Sequence, residues 1–307
     1  MTGRWGITLP LAGVPLAAHG DVVPALADLG YTDVWSSEVG GTDGFTPLAL
    51  AAGWAPGVRL GTAIAGVFTR GPALLAMTAA TLADLAPGRF VLGIGASSPV
   101  IVEQWNGIPF TEPYARVRDT LRFVRAVLAG ERAGGFRLEL PPAQPPPIVL
   151  AALRPGMLRL AAAESDGAIT NWLAASDVST VRAALGPESE LIARIFVCPT
   201  DDADTARAIG RRLIATYLTV PVYAAFHEWL GRGERLAPMH RAWAAGDRTG
   251  AAAAVPDDVV DELFVHGSPE RCRDHVRAYV DAGVDTPVLA LIPAGDPVVA
   301  ARALAPR

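Results

Sequence analysis

The stretch Arg89-Phe-Val-Leu-Gly-Ile-Gly-Ala-Ser-Ser-Pro99 runs an apolar strand straight into small residues and then a polar turn. A buried strand that ends in glycines and hydroxyls lets something approach its backbone closely. The open amides of such a turn suit a phosphate. A second strand ends in a similar way, at Pro147-Ile-Val-Leu-Ala-Ala-Leu-Arg-Pro-Gly156. There Arg154 places a guanidinium just before a predicted helix N-terminus. Two such ends in one chain point to one bound anionic cofactor. A third run, Asp33-Val-Trp-Ser-Ser-Glu38, finishes on a carboxylate. Two roles stand open for Glu38: a proton donor or acceptor in a pocket, or a salt bridge or hydrogen bond that fixes a loop.

Other chemistries are excluded or disfavoured. All 26 basic residues are arginine, which removes lysine Schiff bases and a P-loop lysine. Cys198 and Cys272 are too few for a disulfide framework or a zinc cluster, and no metal site is expected. His19, His227, His240, His266 and His275 fall on predicted helices or outer loops, where a solvated or packing role is expected. The formal charge of −5 argues against a nucleic-acid partner. No apolar run reaches the roughly 18 residues of a membrane helix, and the N-terminus lacks the apolar core of a secretory signal. The expectation is a soluble cytoplasmic protein that acts on a small molecule.

The elements that must position these residues alternate. Strands are predicted at Trp5–Pro10, Asp33–Glu38, Arg59–Val67, Phe90–Ala96, Ile148–Leu153, Gly167–Trp172, Leu191–Cys198 and Pro287–Ile292. Helices are predicted between them, at Leu16–Leu29, Thr46–Ala55, Pro72–Ala86, Glu112–Leu128, Pro155–Glu164, Ser176–Leu185 and Ser268–Ala282. Residues 201–265 read as wholly helical, more than one crossover needs. Eight strands, each joined by a helix, predict a (β/α)8 barrel over residues 1–307, with that helical insertion before the last helix and strand. A doubly wound open sheet is the alternative, but Gly93-x-Gly95-x-x-Ser98 lacks the third glycine of a dinucleotide fingerprint and lies in the fourth unit. In a barrel every strand's C-terminal end faces one mouth, which gathers Glu38, Ala96–Ser98, Leu153–Arg154 and Asn171 there.

In this order, the strand ends resemble the luciferase-like oxidoreductases, and among them the branch using the deazaflavin coenzyme F420. The resembling residues are Gly30-Tyr-Thr-Asp-Val-Trp-Ser-Ser-Glu38, Leu60-Gly-Thr-Ala-Ile-Ala65 and Pro87-Gly-Arg-Phe-Val-Leu-Gly-Ile-Gly-Ala96, then Trp105-Asn-Gly107. Ala151-Ala-Leu-Arg-Pro-Gly-Met-Leu158, Ser165-Asp-Gly-Ala-Ile-Thr-Asn-Trp172, Gly267-Ser-Pro-Glu270 and Ala282-Gly-Val-Asp285 follow. The resemblance covers most of the chain and is least in 201–265.

The resemblance implies a flat deazaflavin in the mouth, against a non-prolyl cis peptide at Ala63–Ile64. It places the cofactor's phosphate on Gly95, Ala96, Ser97 and Ser98, faced by Ala152, Leu153 and Arg154. Asn171 and Trp172 would line cofactor or substrate, Trp105 would cover the pocket or fasten a loop, and Arg70 would hold the cofactor's carboxylate tail. Two departures from the family pattern bear on chemistry. Alcohol-oxidising relatives carry an Asp-His pair where Glu38-Val39 stands, and sugar-phosphate dehydrogenases carry a carboxylate where Ser98 stands. Glu38 is left as the candidate catalytic residue. The expected reaction is hydride transfer from reduced F420, with reduction of a C=C or C=N bond preferred. The alternatives are an FMN monooxygenase using oxygen and a cofactor-holding protein without turnover. Relatives also imply a homodimer formed through helices beside strands two and three.

Overall fold

Short apolar runs bounded by glycine and proline make strands buried on both faces, and such strands pair in parallel under a coat of helices. The computed structural model describes residues 3–292 and 294–306. Its strands are β1 (Gly6–Leu9), β2 (Asp33–Ser36), β3 (Arg59–Thr62), β4 (Ala65–Gly66) and β5 (Phe90–Gly95). β6 (Ile148–Ala151), β7 (Gly167–Asn171), β8 (Glu190–Pro199), β9 (Val265–Gly267) and β10 (Thr286–Leu291) complete the set. Eight of them close a parallel barrel in the order β1-β2-β3-β5-β6-β7-β8-β10, with β10 returning to β1. The open-sheet alternative is thereby removed.

The outer helices are α1 (His19–Asp28), α2 (Thr46–Trp54), α3 (Pro72–Leu85), α4 (Pro113–Leu128), α5 (Pro155–Glu164) and α6 (Val178–Leu185). After β8 the chain makes α7 (Ala203–Leu218), α8 (Pro221–Trp229), α9 (Gly233–Ala244), α10 (Arg248–Ala253) and α11 (Asp257–Leu263), the expected helical insertion. α12 (Pro269–Asp281) returns to the ring, capped by the Ser268 hydroxyl, which accepts from the Arg271 amide. One correction concerns the C-terminus. A further helix, α13 (Pro297–Ala303), follows β10, so α12, the helix directly after the insertion, is not the last. Asp296 caps α13, and its backbone is tied to the ring by Trp5 and Tyr31, which donate to the Leu304 and Ala301 carbonyls.

The third predicted strand is broken in two. β3 pairs Gly61 with Val91, whereas β4 pairs Ala65 with Ile94. Four steps on one side therefore answer three on the other, and the extra residue makes a bulge. The Ala63–Ile64 peptide in that bulge is cis.

Side chains of alternate residues fill the bore. Trp35, Val91, Val149, Ile169, Ile192 and Val288 form its packed middle, with Ala63 and Ile64 against it. Gly61 has to be glycine, because a Cβ there would lie 2.2 Å from the Trp35 ring. At the N-terminal end, Arg59 closes the bore. It bonds Asp33, donates to both Glu190 oxygens at 3.0 and 2.7 Å, and reaches the Thr286 hydroxyl at 3.0 Å. Burial alone would push the Glu190 carboxyl up, but the Arg59 hydrogen bonds and charge outweigh it and hold the group below the usual range.

Candidate active site

At the opposite end of the barrel the mouth has two sides. On the first, the ends of β2, β4 and β5 surround a cavity of about 360 Å³ whose lining includes Glu38, Gly66, Arg70, Ser97, Trp105 and Asn106. A π-helical turn over Val100–Trp105 carries Trp105 above it, 56% exposed. A larger cavity of about 480 Å³ lies outside the barrel between α1 and α13, far from the strand ends, and gathers no such group of polar side chains.

Glu38 is held on all sides. Oε1 accepts from the Arg70 guanidinium at 2.8 and 2.5 Å and from the Gly44 amide at 3.1 Å, and Oε2 accepts from the Gly66 amide at 3.4 Å. These contacts tie the β2–α2 loop to β4, which is the second of the two roles open for Glu38. Arg70 also lies over the Phe45 ring at 4.6 Å, so its guanidinium is engaged with the β2–α2 loop.

The glycines of β5 owe their presence to the protein's own packing. A Cβ on Gly93 would lie 1.9 Å from the Thr62 carbonyl oxygen, and one on Gly95 would lie 2.6 Å from the Ala151 Cβ and 3.2 Å from Ile64. Gly95 is buried, and Ile64 covers it. Beyond it, Ala96, Ser97 and Ser98 are half-buried, and Ser97 adopts a left-handed φ of 65°. The Ala96, Ser97 and Ser98 amides have no main-chain acceptor among the described residues, so three donors remain for an anion. The Ser98 hydroxyl accepts from the Ile101 amide at 3.4 Å.

The residues expected opposite are less uniform. The Ala152 amide donates to the Ile169 carbonyl at 2.9 Å and the residue is buried, so it offers nothing to a ligand. Pairing with β7 thus reaches Ala152, one residue beyond β6 itself. Leu153 is half-buried, and Arg154 is exposed at the uncapped start of α5, with no carboxylate of the described residues within salt-bridge distance.

The second side of the mouth lies under the helical insertion. Asn171 Nδ2 donates to the Tyr223 hydroxyl at 2.9 Å, joining β7 to α8. Trp172 is buried in this cap, its ring 4.1 Å from Phe196 and 5.4 Å from Tyr217, and so serves as core. His227, also buried there, is pushed down to about 3, chiefly by burial and then by the Arg232 charge, so it is neutral and no base. His19 is buried as well, accepting from the Leu11 amide at 2.9 Å with its other nitrogen on the Pro15 carbonyl. Among the described residues no cluster of histidine, cysteine or acidic side chains could hold a metal ion, and no helix is long and apolar enough to cross a membrane.

One residue of this side escaped the sequence reading. Arg194 is a lone charge in the apolar run Leu191-Ile-Ala-Arg-Ile-Phe-Val-Cys198, and that interruption was the available signal. It shares the inward face of β8 with Ile192 and Phe196, and pairs in register with Asn171 and Val288. Among the described residues, Thr8 Oγ1, Asn171 Oδ1 and Arg194 Nε are buried at this end without a hydrogen-bond partner, as are Trp172 Nε1 and both His227 nitrogens in the cap.

Comparison with known proteins matches this arrangement. The family profile of the luciferase-like monooxygenases matches residues 5–286. A Mycobacterium tuberculosis protein, provisionally named a coenzyme F420-dependent oxidoreductase, is 29% identical over 92% of this chain and 91% of its own length. The 5,10-methylenetetrahydromethanopterin reductase of Methanolobus tindarius is 25% identical over 87% of each chain. Among solved structures, the coenzyme F420-dependent tetrahydromethanopterin reductase of Methanopyrus kandleri shares the fold with a TM-score of 0.78, at 20% identity, covering 99% of this chain and 97% of that one.

Proposed function

The chain belongs to the luciferase-like monooxygenase family, and from that premise we propose that it is an F420-dependent oxidoreductase of the cytoplasm. It moves a hydride between reduced deazaflavin and a small organic substrate. Two similar proteins bear the names of an F420-dependent oxidoreductase and of a reductase acting on a methylene-bearing pterin, which supports both cofactor and class. The observation that carries the reading is the mouth itself: three unacceptored amides at Ala96–Ser98 stand on one side, and unpartnered polar atoms of Thr8 and Asn171 on the other. Buried polar groups without partners are rare in a finished interior and mark where a ligand supplies the missing bonds. That donor set fits a planar ring with polar edges and an anionic tail.

In this reading Ala63 and Ile64 form the apolar floor, seated on Gly95 by the Ile64 side chain. The amides of Ala96, Ser97 and Ser98 hold the phosphate, and Leu153 and Arg154 border it from α5. Asn171 meets the cofactor or substrate edge. Glu38 and Arg70 keep the β2–α2 loop at the rim, so Glu38 acts here by position. When bound, the deazaflavin supplies a hydride and reacts poorly with oxygen. Reduction of an activated C=C or C=N bond is preferred, because Val39 and Ser98 stand where alcohol- and sugar-oxidising relatives carry their histidine and carboxylate.

Homodimerisation through α2 and α3 is part of the proposal. Leu50, Leu74, Met77 and Leu85 are 39–51% exposed on these neighbouring helices. Sedimentation should give twice the chain mass, and Leu74→Arg with Met77→Asp should give the monomer.

The cofactor assignment is tested by fluorescence titration of F420 and FMN. Micromolar or tighter F420 binding with weak FMN binding is expected. Tight FMN binding with oxygen consumption on reduction would replace it with the monooxygenase reading. Tight F420 binding without turnover on any of a broad panel of enones and imines would leave a holding protein.

A further inference from the structure

We propose that Arg194, Asn171 and Tyr223 form a subsite for the carboxylate of the substrate, inside the bore and beneath the helical insertion. The inference rests on the reading of this mouth as the hydride-transfer site and names the class of molecule that enters it.

Arg194 projects into the bore from the middle of β8, and its guanidinium lies 4.7 Å from the centre of the Phe196 ring. Its Nε is buried and makes no hydrogen bond, and no carboxylate lies within salt-bridge distance among the described residues. Arg59, on the other strand that sends an arginine into the bore, meets two carboxylates. A guanidinium whose Nε is buried without a partner is costly to keep, so its retention in an apolar strand points to an anion that arrives from outside.

The neighbours define the anion. Asn171, the register partner of Arg194, donates to Tyr223 and keeps Oδ1 unbonded; turned over, it would leave its nitrogen unbonded instead. Tyr223 accepts that bond, and its own proton has no acceptor among the described residues. Burial pushes the phenol up, which keeps this proton in place. The subsite thus offers a guanidinium and a second donor, the phenol O–H with Asn171 as it stands or the amide N–H with it turned over, with no competing carboxylate among the described residues. Phe196 covers one face of the guanidinium, and Trp172 and Tyr217 continue the aromatic wall at 4.1 and 5.8 Å from Phe196. A ligand must then meet the guanidinium edge-on, in its plane. A planar carboxylate fits that approach with two parallel bonds; a tetrahedral phosphate fits it less well. Arg194 as a whole is only half-buried, so the rest of its side chain stays reachable.

The test uses the F420-loaded enzyme with benzoate, benzamide and phenylphosphonate as probes, each followed by thermal shift and calorimetry. Wild type should bind benzoate at least tenfold more tightly than benzamide or phenylphosphonate. Arg194→Met should lose that preference, and Arg194→Lys, which keeps the charge without the fork, should retain only part of it. Both variants should bind F420 within threefold of wild type, which shows that they are folded. Benzoate binding equal in wild type and Arg194→Met overturns the subsite, as does benzoate no better than benzamide. A preference for phenylphosphonate reassigns it to a phosphate and overturns the carboxylate. F420 affinity falling tenfold or more in Arg194→Met, with the fold intact, places Arg194 in the cofactor site instead. Failure of the underlying reading looks different: wild type itself does not bind F420.

Discussion

The two ends of the barrel bore treat an inward-facing arginine in opposite ways. At the N-terminal end Arg59 meets Asp33, Glu190 and Thr286, and lies 5.4 Å from the Trp35 ring. At the C-terminal end Arg194 has, among the described residues, only the Phe196 ring, and its Nε is unbonded. The first cluster is complete within the chain and seals the barrel. The second is complete only when something else is present. This division between a stability face and a working face follows from parallel strands that send all their C-terminal ends, and the loops after them, to one mouth.

The comparison is broken most severely at Arg59. Arg59→Met leaves the buried Asp33 and the half-buried Glu190 carboxylates without their shared guanidinium and should cost about 3–5 kcal/mol of stability, measured by urea unfolding. A loss below about 1 kcal/mol would mean that the lower cluster does not seal the bore.

Acid should strain the upper end next. His227 is held neutral in the fold, its value depressed to about 3. Below about pH 6.5 the unfolded chain takes a proton that the fold refuses, so stability falls as pH drops from there toward the folded value. Between pH 6.5 and 4 this amounts to about 3 kcal/mol, and His227→Leu should flatten that part of the profile. A slope unchanged in the variant would assign the acid lability elsewhere.

At the rim, Glu38→Gln weakens the Arg70 pair and should cost about 1 kcal/mol, with a few-fold fall in kcat and no change in the shape of its pH profile. A hundredfold fall with one limb of the profile lost would instead give Glu38 a proton role. The smallest effect is expected at Arg194. Arg194→Met removes an unsatisfied buried donor and should leave stability unchanged or raise it by up to about 1 kcal/mol. A destabilisation like that of Arg59→Met would erase the distinction between the two ends.

Much of this was legible in the sequence because strand and helix periods are local. The eight barrel strands, the insertion and the Ser268 cap all follow from neighbouring residues. The pairing of Glu38 with Arg70, 32 positions apart, does not, since it depends on how two loops meet. That the Ala152 amide is taken by the Ile169 carbonyl, on another strand, is likewise beyond any local pattern. Gly93 and Gly95 were read as room for a ligand, whereas Thr62, Ile64 and Ala151 occupy the space. Helix α13 is only seven residues long and too short to show a clear period. Arg194 was visible as a charge in an apolar strand, but which face of β8 it takes was settled only by the barrel.

Hydrogen–deuterium exchange with and without F420 tests most directly whether the C-terminal mouth is the working end. Slowed exchange is predicted at the Ala96–Ser98 amides and at the start of α5, with none at the starts of β1, β3 and β8. Protection confined to the α1–α13 surface, or spread evenly over both ends of the barrel, would contradict it.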